Sequence, residues 1–470
     1  MASGVSQKDE AFRSYALNEK PMKVLLATCT PLALFQALQS IFKIFDAMMA
    51  SHISTDAVSA VSCLSQITLM ITAVGTGLAI GGSIKISEAY GRGDYALVRR
   101  RVATVYTLAV GVSLMLIVTL VPCAVPFLRL LKTPEELIAA GTGYFRVEII
   151  SLMVSFFNTV YIAIERSRGH SKRILKLNLM IVLVKLSLTA LFVYVLDGGV
   201  IMIAAATLIG QLLLLGYALV SMRLDEGAFR FSRKNISFQR EVIGPVFDLS
   251  YPVTAEKMLF AAGKVIINSM SGLYGGTTVG ALGISNHIGG LTTSWHQGMT
   301  DGAAPLISQN RGAGKYKRTV AIYYRLLAVN VLIGVTGLLL VSYFLPWLAG
   351  VFAHSRESFD QSFCDEIVAI HRWEMLGYIT LGINSATVAL LLGYGYSKLT
   401  MLLNVARVFA FRVPVLWALQ RFTQMGAEAV GVTMMVSNVT TGLAAMCVAI
   451  PVIIHIYKLD HQQNMKEETA

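Results

Sequence analysis

The chain has 470 residues, 55% hydrophobic and 14% charged, with a mean hydropathy of +0.63. Average soluble domains carry roughly 25% charged residues, and here the apolar residues run in stretches long enough to cross a bilayer, so a soluble globular enzyme is excluded. The formal net charge of +12 would suit nucleic acid only if it were gathered in one patch, which it is not.

In chain order, residues 1–23 are polar and mixed in sign, with no apolar stretch before about residue 24, and read as a cytoplasmic tail rather than a cleaved signal peptide. Apolar runs then predict twelve transmembrane helices, at 24–50, 58–84, 103–128, 137–164, 177–196, 200–222, 249–273, 279–306, 322–352, 372–394, 401–420 and 430–457. A span needs ~20 residues at ~1.5 Å each to cross a ~30 Å hydrocarbon core. The expected organisation is an all-α polytopic membrane protein of two pseudo-symmetric six-helix lobes, 24–222 and 249–457. A basic cytoplasmic linker joins the lobes at 223–248, and a cytoplasmic tail closes the chain at 458–470. Cys29, Cys63, Cys123, Cys364 and Cys447 are scattered and outline neither a disulfide framework nor a zinc site.

Basic residues test the count. Of 39 Lys and Arg, 27 fall in the two tails and in alternate loops, including Arg99–Arg101, Lys172–Arg173 and Lys315–Arg318. The opposite loops hold only Arg129, Lys132, Arg356, Arg372 and Arg421. By the positive-inside rule both termini are cytoplasmic. The positive charge is a topology signal, and no nucleic-acid partner is expected.

The sequence repeats itself. At an offset of 221 residues, 31–95 aligns on 252–316 without a gap, matching Pro31 with Pro252, Lys43 with Lys264, Gly77 with Gly298, Gly81 with Gly302 and Gly93 with Gly314. At an offset of 226, Arg146 and Glu148 fall on Arg372 and Glu374, Asn158 on Asn384, and Gly169 on Gly395. Each unit holds an even number of spans, so the two share one orientation, as in transporters built from parallel repeats. The GRGD string at 91–94 repeats as GAGK, which marks it as a turn and not a catalytic motif.

The stretches TPLALFQALQSIFKIFDAMMASHIS, ISEAYGRGDYALVRRR, YPVTAEKMLFAAGKVIINSMSGLYGGTTVGALGIS and DGAAPLISQNRGAGKYKR resemble the multidrug and toxic compound extrusion (MATE) transporters, in particular a bacterial branch that includes DNA-damage-inducible efflux proteins. The resemblance covers about residues 22–457. It implies a secondary active antiporter, not an enzyme, that exports small organic compounds in exchange for protons or sodium by alternating access. The wider superfamily adds an alternative, a flippase for a lipid-linked or anionic precursor. It also implies a multi-pass protein of the bacterial inner membrane, acting as a monomer on a small-molecule substrate without a cofactor.

Within that resemblance Asp46 matches a first-helix aspartate implicated in cation coupling. Where the family often places Asn and Asp on the fifth helix, this chain has Lys185 and Thr189. An intramembrane carboxylate costs several kcal/mol unless paired or protonated. Asp46 is therefore read either as a proton-linked switch or as the ion-pair partner of Lys43 one turn back. Lys185 is read as a built-in counter-ion to Asp46, as a contact for an anionic substrate, or as a snorkelling side chain. Protons are preferred over sodium because a fixed ammonium repels a metal cation. Candidate cavity residues are Gln36, Lys43, Asn158, Glu256, Lys264, His296, Asp301 and Asn384. His296 and Asp301, five apart on one helix, are expected on different faces. Glu256 and Lys257 are expected not to share a face. Arg146 with Glu148 and Arg372 with Glu374 are read as structural ion-pairing residues, and Arg407 and Arg412 as pairing with acids or backbone.

Overall fold

The structure is a computed structural model that describes residues 7–50, 55–126, 135–196, 198–353 and 361–468; the side chains at 8, 43–50, 55–67, 69, 135–141, 200 and 467 are not among the described ones. No strand occurs among the described residues. A short helix α1 (Gln7–Asn18) precedes the long ones: α2 (Pro21–Ala50), α3 (Thr55–Arg92), α4 (Tyr95–Leu120), α5 (Glu135–Ser167), α6 (Ser171–Ala190) and α7 (Val200–Leu224). The second half has α8 (Arg240–Ser271), α9 (Gly276–Gly312), α10 (Tyr316–Ala353), α11 (Gln361–Glu374), α12 (Tyr378–Gly393), α13 (Ser397–Ala406), α14 (Val413–Phe422) and α15 (Glu428–Glu468). A 3-10 turn at Met375–Gly377 joins α11 to α12, and a π-helical segment at Arg407–Arg412 joins α13 to α14. Counting those joined pairs as single rods, each of the twelve expected spans has its helix.

Ten of the twelve rods are long and apolar enough to cross a membrane by length and composition. The other two, α8 and α9, have 32 and 37 residues and are long enough at ~1.5 Å per residue. Their lower hydropathy has a different origin in each. α8 carries Asp248, Glu256, Lys257 and Lys264, while α9 buries Ser285, Thr292, His296, Thr300, Gln309 and Asn310 against protein. A helix enclosed by other helices needs no continuous lipid-compatible surface. Several helices overrun their apolar windows at charged ends: α3 reaches Arg92, α9 reaches Gly312, and α15 continues through the expected C-terminal tail to Glu468. There Asp460 pairs with Lys317 at 3.1 Å.

The repeat is visible in the backbone. Gly93 ends α3 with φ 81° and Gly314 ends α9 with φ 71°, 221 residues on; Gly169 (φ 78°) and Gly395 (φ 81°) close α5 and α12 at the 226 offset. Left-handed residues of this kind stop a helix cheaply only when they are glycine.

The chain forms two compact units. Unit 1 comprises Met1–Asn18 and Ile41–Met258, and unit 2 comprises Glu19–Ser40 and Leu259–Ala470. The unit borders thus fall between α1 and α2, inside α2 and inside α8. Small residues account for this. In unit 1, a Cβ on Gly77 would lie 2.0 Å from Thr254 Oγ1 and one on Gly81 2.1 Å from Ser250 Oγ, so the first part of α8 seats directly on α3. In unit 2, a Cβ on Gly298 would lie 2.3 Å from Ala33 Cα and one on Gly302 2.7 Å from Cys29 Sγ, so the first part of α2 seats on α9. The four residues of one crossing are repeat mates of the four in the other. Glycines four apart let backbones approach within a bilayer, where van der Waals packing replaces the hydrophobic effect between helices.

Candidate functional site

In unit 1 a polar layer spans α5, α6 and α7. Asn158, buried on α5, donates from Nδ2 to both the backbone and the side-chain oxygen of Gln211, each at 2.8 Å. Half-buried Lys185 sits on α6 facing α7, where a Cβ on Gly210 would meet its own Cβ at 3.7 Å. Thr189 donates back to the Lys185 carbonyl at 2.9 Å, which satisfies its hydroxyl locally, as buried helical threonines do. Lys43 and Asp46 lie on α2, but their side chains are outside the described residues, so their partners are not defined. Glu256 is buried on α8, and Lys257 Nζ lies 3.5 Å from its Oε1. The two do not share a helix face, yet the four-carbon lysine stem reaches round the helix to the carboxylate.

Unit 2 gathers two of the expected residues directly. Gln36 on α2 donates to Asp301 Oδ2 at 3.1 Å, and Gln297, one turn back on α9, donates to Asp301 Oδ1 at 2.9 Å. Ser40 and Ser294 hydrogen-bond one turn further along the same crossing. His296 points elsewhere, as its five-residue spacing from Asp301 implies. It is 3% exposed, and its Nε2 lies 3.0 Å from the Asn330 carbonyl on α10. Asn384 is buried on α12 and donates to Asn404 Oδ1 at 3.4 Å. Lys264 is exposed, with its ammonium 5.5 Å from the Phe260 ring centroid.

Three features of unit 2 depart from the sequence reading or go beyond it. Arg372 and Glu374 do not pair with each other: two residues apart on a helix, they point about 200° apart. Arg372 pairs with Glu428, whereas Glu374 accepts from Ser285 at 2.6 Å and lies 3.7 Å from His371. His371 Nε2 in turn lies 2.8 Å from the Tyr378 hydroxyl. Beside this chain of contacts, Arg407 and Arg412 converge on one neutral acceptor. Asn438 Oδ1 receives Arg407 Nη2 at 2.6 Å and Nε at 3.2 Å, and Arg412 Nη2 at 3.2 Å. The signal for this cluster, two arginines inside one apolar run, is present in the sequence. Their convergence is hidden there, because residues five apart share a face in a π turn and not in an α-helix.

Chemically, each unit offers a polar interior on a rigid helical frame, with cations and carboxylates held by named partners. Polar and ionisable residues inside helices that span a bilayer are costly and mark candidate solute or ion pathways.

Comparison with known proteins agrees. The MatE family model matches residues 31–191 and 252–418, so its two matches begin at the same 221-residue offset as the internal repeat. The probable multidrug resistance protein YoeA of Bacillus subtilis (strain 168) is 22% identical over 405 residues, 84% of this chain and 86% of its own length. The multidrug export protein MepA of Staphylococcus aureus is 20% identical over 331 residues, 69% of this chain and 72% of its own. Among solved structures, a multidrug resistance MATE family transporter of the MOP superfamily in an outward-facing conformation superposes with a TM-score of 0.90 at 17% identity, covering 97% of this chain and 99% of that one. A MOP superfamily transporter from Pyrococcus furiosus Vc1, described as having a binding pocket of reverse polarity that suggests a different function, superposes with a TM-score of 0.89 at 18% identity, covering 96% and 99%. Sequence, repeat and fold therefore converge on one assignment: this chain is a member of the MATE family of multi-pass membrane transporters.

Proposed function

We propose that this chain exports small organic compounds across the bacterial inner membrane in exchange for protons, by alternating access, with both termini cytoplasmic. The observation that carries the reading is the family match over both halves of the repeat, at the repeat's own offset. Proton rather than sodium coupling is supported by Lys185. A sodium site needs several hard oxygen ligands, and in the fifth span this chain offers a half-buried ammonium, which repels a metal cation, and one neutral hydroxyl, Thr189. Asp46 is the proposed proton carrier.

The test is flux in liposomes reconstituted with purified protein, with pH and sodium gradients imposed separately. Export is expected to follow the pH gradient in sodium-free buffer. Export that needs sodium and persists at equal pH on both sides would overturn proton coupling.

The second reading, transport of an anionic or lipid-linked molecule, is favoured by the two arginines that converge on Asn438 in unit 2. The reverse-polarity pocket described for the Pyrococcus relative makes such cargo a reasonable alternative within this fold.

A further inference from the structure

We propose that Lys264, Arg407 and Arg412 of unit 2 form a binding subsite for the carboxylate or phosphate group of an amphipathic organic anion. The inference rests on the export reading and names the chemistry of what is exported.

Charge balance is the first argument. Arg412 is 4% exposed and Arg407 half-buried, yet both guanidiniums donate to a neutral amide oxygen, with Ser437 Oγ at 3.1 Å as the further partner of Arg412. Glu374 is the carboxylate whose charge reaches both, and it is already engaged by Ser285 and His371. Among the described residues, two cations thus share one carboxylate in a setting where buried charges are ordinarily matched. A second anion would balance them.

Backbone geometry is the second. In a regular α-helix, residues five apart point about 140° away from each other. The π segment Arg407–Arg412 brings them to one side, and π turns inside helices are frequent at functional sites. Gly263 permits α8 to close on this segment, since a Cβ there would lie 2.2 Å from Val408 Cγ1. Lys264 follows Gly263 on α8, and its ammonium and the Arg407 guanidinium stand 5.5 Å and 5.6 Å from the same Phe260 ring.

Access is the third. Exposure falls along the cluster from Lys264 (exposed) to Arg407 (half-buried) to Arg412 (buried), so the positive group is open at one end and anchored at the other. An anion would meet Lys264 first, settle on the guanidinium fork of Arg407, and lay its apolar part against Phe260. Guanidinium is the group that binds carboxylate and phosphate in paired hydrogen bonds.

The experiment uses full-length protein in phosphatidylcholine nanodiscs and phenyl phosphate as the probe, with benzyltrimethylammonium as the cationic control, read by calorimetric titration. Phenyl phosphate is expected to bind. Lys264→Gln, at an exposed position that leaves the fold intact, and Arg407→Gln are each expected to weaken it by roughly tenfold or more, the loss of one charge-assisted contact. Failure of the wild type to bind phenyl phosphate, or unchanged affinity in both variants, would overturn the subsite. Including phosphatidylglycerol separates the sources. Competition with phenyl phosphate assigns the site to a lipid headgroup, and undiminished affinity assigns it to a soluble anion. Gradient-driven export of ethidium without any anion binding would defeat the subsite and leave the export reading standing. Anion binding that both variants lose, without gradient-driven flux of any substrate, would do the reverse.

Discussion

Arg168 reaches across unit 1 to Asp9, donating from Nε and Nη2 to the same carboxylate oxygen at 3.3 Å and 3.1 Å. Its remaining donors go to Glu165 and Asp225, and its guanidinium lies 4.9 Å from the Phe229 ring centroid. Burial disfavours the charge, but Glu165, Asp9 and Asp225 together outweigh it and hold the guanidinium above its ordinary pKa. The other Asp9 oxygen accepts the Ala228 N–H at 3.2 Å, while Arg13 donates to the carbonyls of Tyr90 and Gly91 at the end of α3. Residues 7–18 of the segment expected to be a polar tail thus form a helix, α1, tied to unit 1.

Removing the hub should be costly. Arg168→Met leaves three carboxylates facing one another, and breaking a buried pair in this way costs about 3–5 kcal/mol. Lysine should rescue little, because a single ammonium cannot fork among three acids. Thermal unfolding in detergent checks both; an unshifted midpoint in Arg168→Met would show that α1 contributes nothing to unit 1.

Two glycines separate backbone strain from crowding. Gly426 (φ 61°) has nothing within 4 Å of where an alanine methyl would sit, whereas at Gly169 (φ 78°) the methyl would lie 2.0 Å from Phe12. Gly426→Ala should cost only the left-handed penalty, about 1–2 kcal/mol. Gly169→Ala should cost more and loosen α1, read as faster hydrogen exchange over residues 7–18. Equal melting points for the two variants would remove the crowding argument.

Coupling through Asp46 predicts that Asp46→Asn, which keeps size and removes titration, abolishes gradient-driven export at normal expression and unchanged monodispersity. Export at the wild-type rate by this variant would end that role.

Topology is tested with single cysteines in a cysteine-free background. Gln424→Cys, in the exposed turn between α14 and α15, should react with an impermeant thiol reagent added outside intact cells, and Ala96→Cys, at the start of α4, should not. The opposite pattern would invert the assigned orientation.

Much of the fold was legible because bilayer spans announce themselves in composition, and because glycines at matched turns keep a duplicated backbone recognisable. What escaped reading depended on direction rather than identity. Arg372 and Glu374 looked like partners in the string, yet helical geometry sends one to Glu428 and the other to Ser285. Arg407 and Arg412 looked separate until a π turn aligned them. Gln297, the second donor to Asp301, carried no signal beyond its one-turn spacing. Of the residues expected near the site, Gln36 and Asp301 meet, whereas Asn158, His296 and Asn384 each hydrogen-bond to a different neighbouring helix.

The glycine crossings have a consequence for cutting the gene in two. A break in the linker near residue 230 would give one fragment ending after α7 and another beginning with α8. The first would carry the Gly77–Gly81 face without the α8 segment that fills it, and the second the Gly298–Gly302 face without α2. Neither fragment is self-sufficient, but each owns the piece the other lacks. Co-expressed halves should therefore assemble by reciprocal exchange of helices and co-purify, while either half alone aggregates. Bulky residues at Gly77 and Gly298 together should abolish that reassembly.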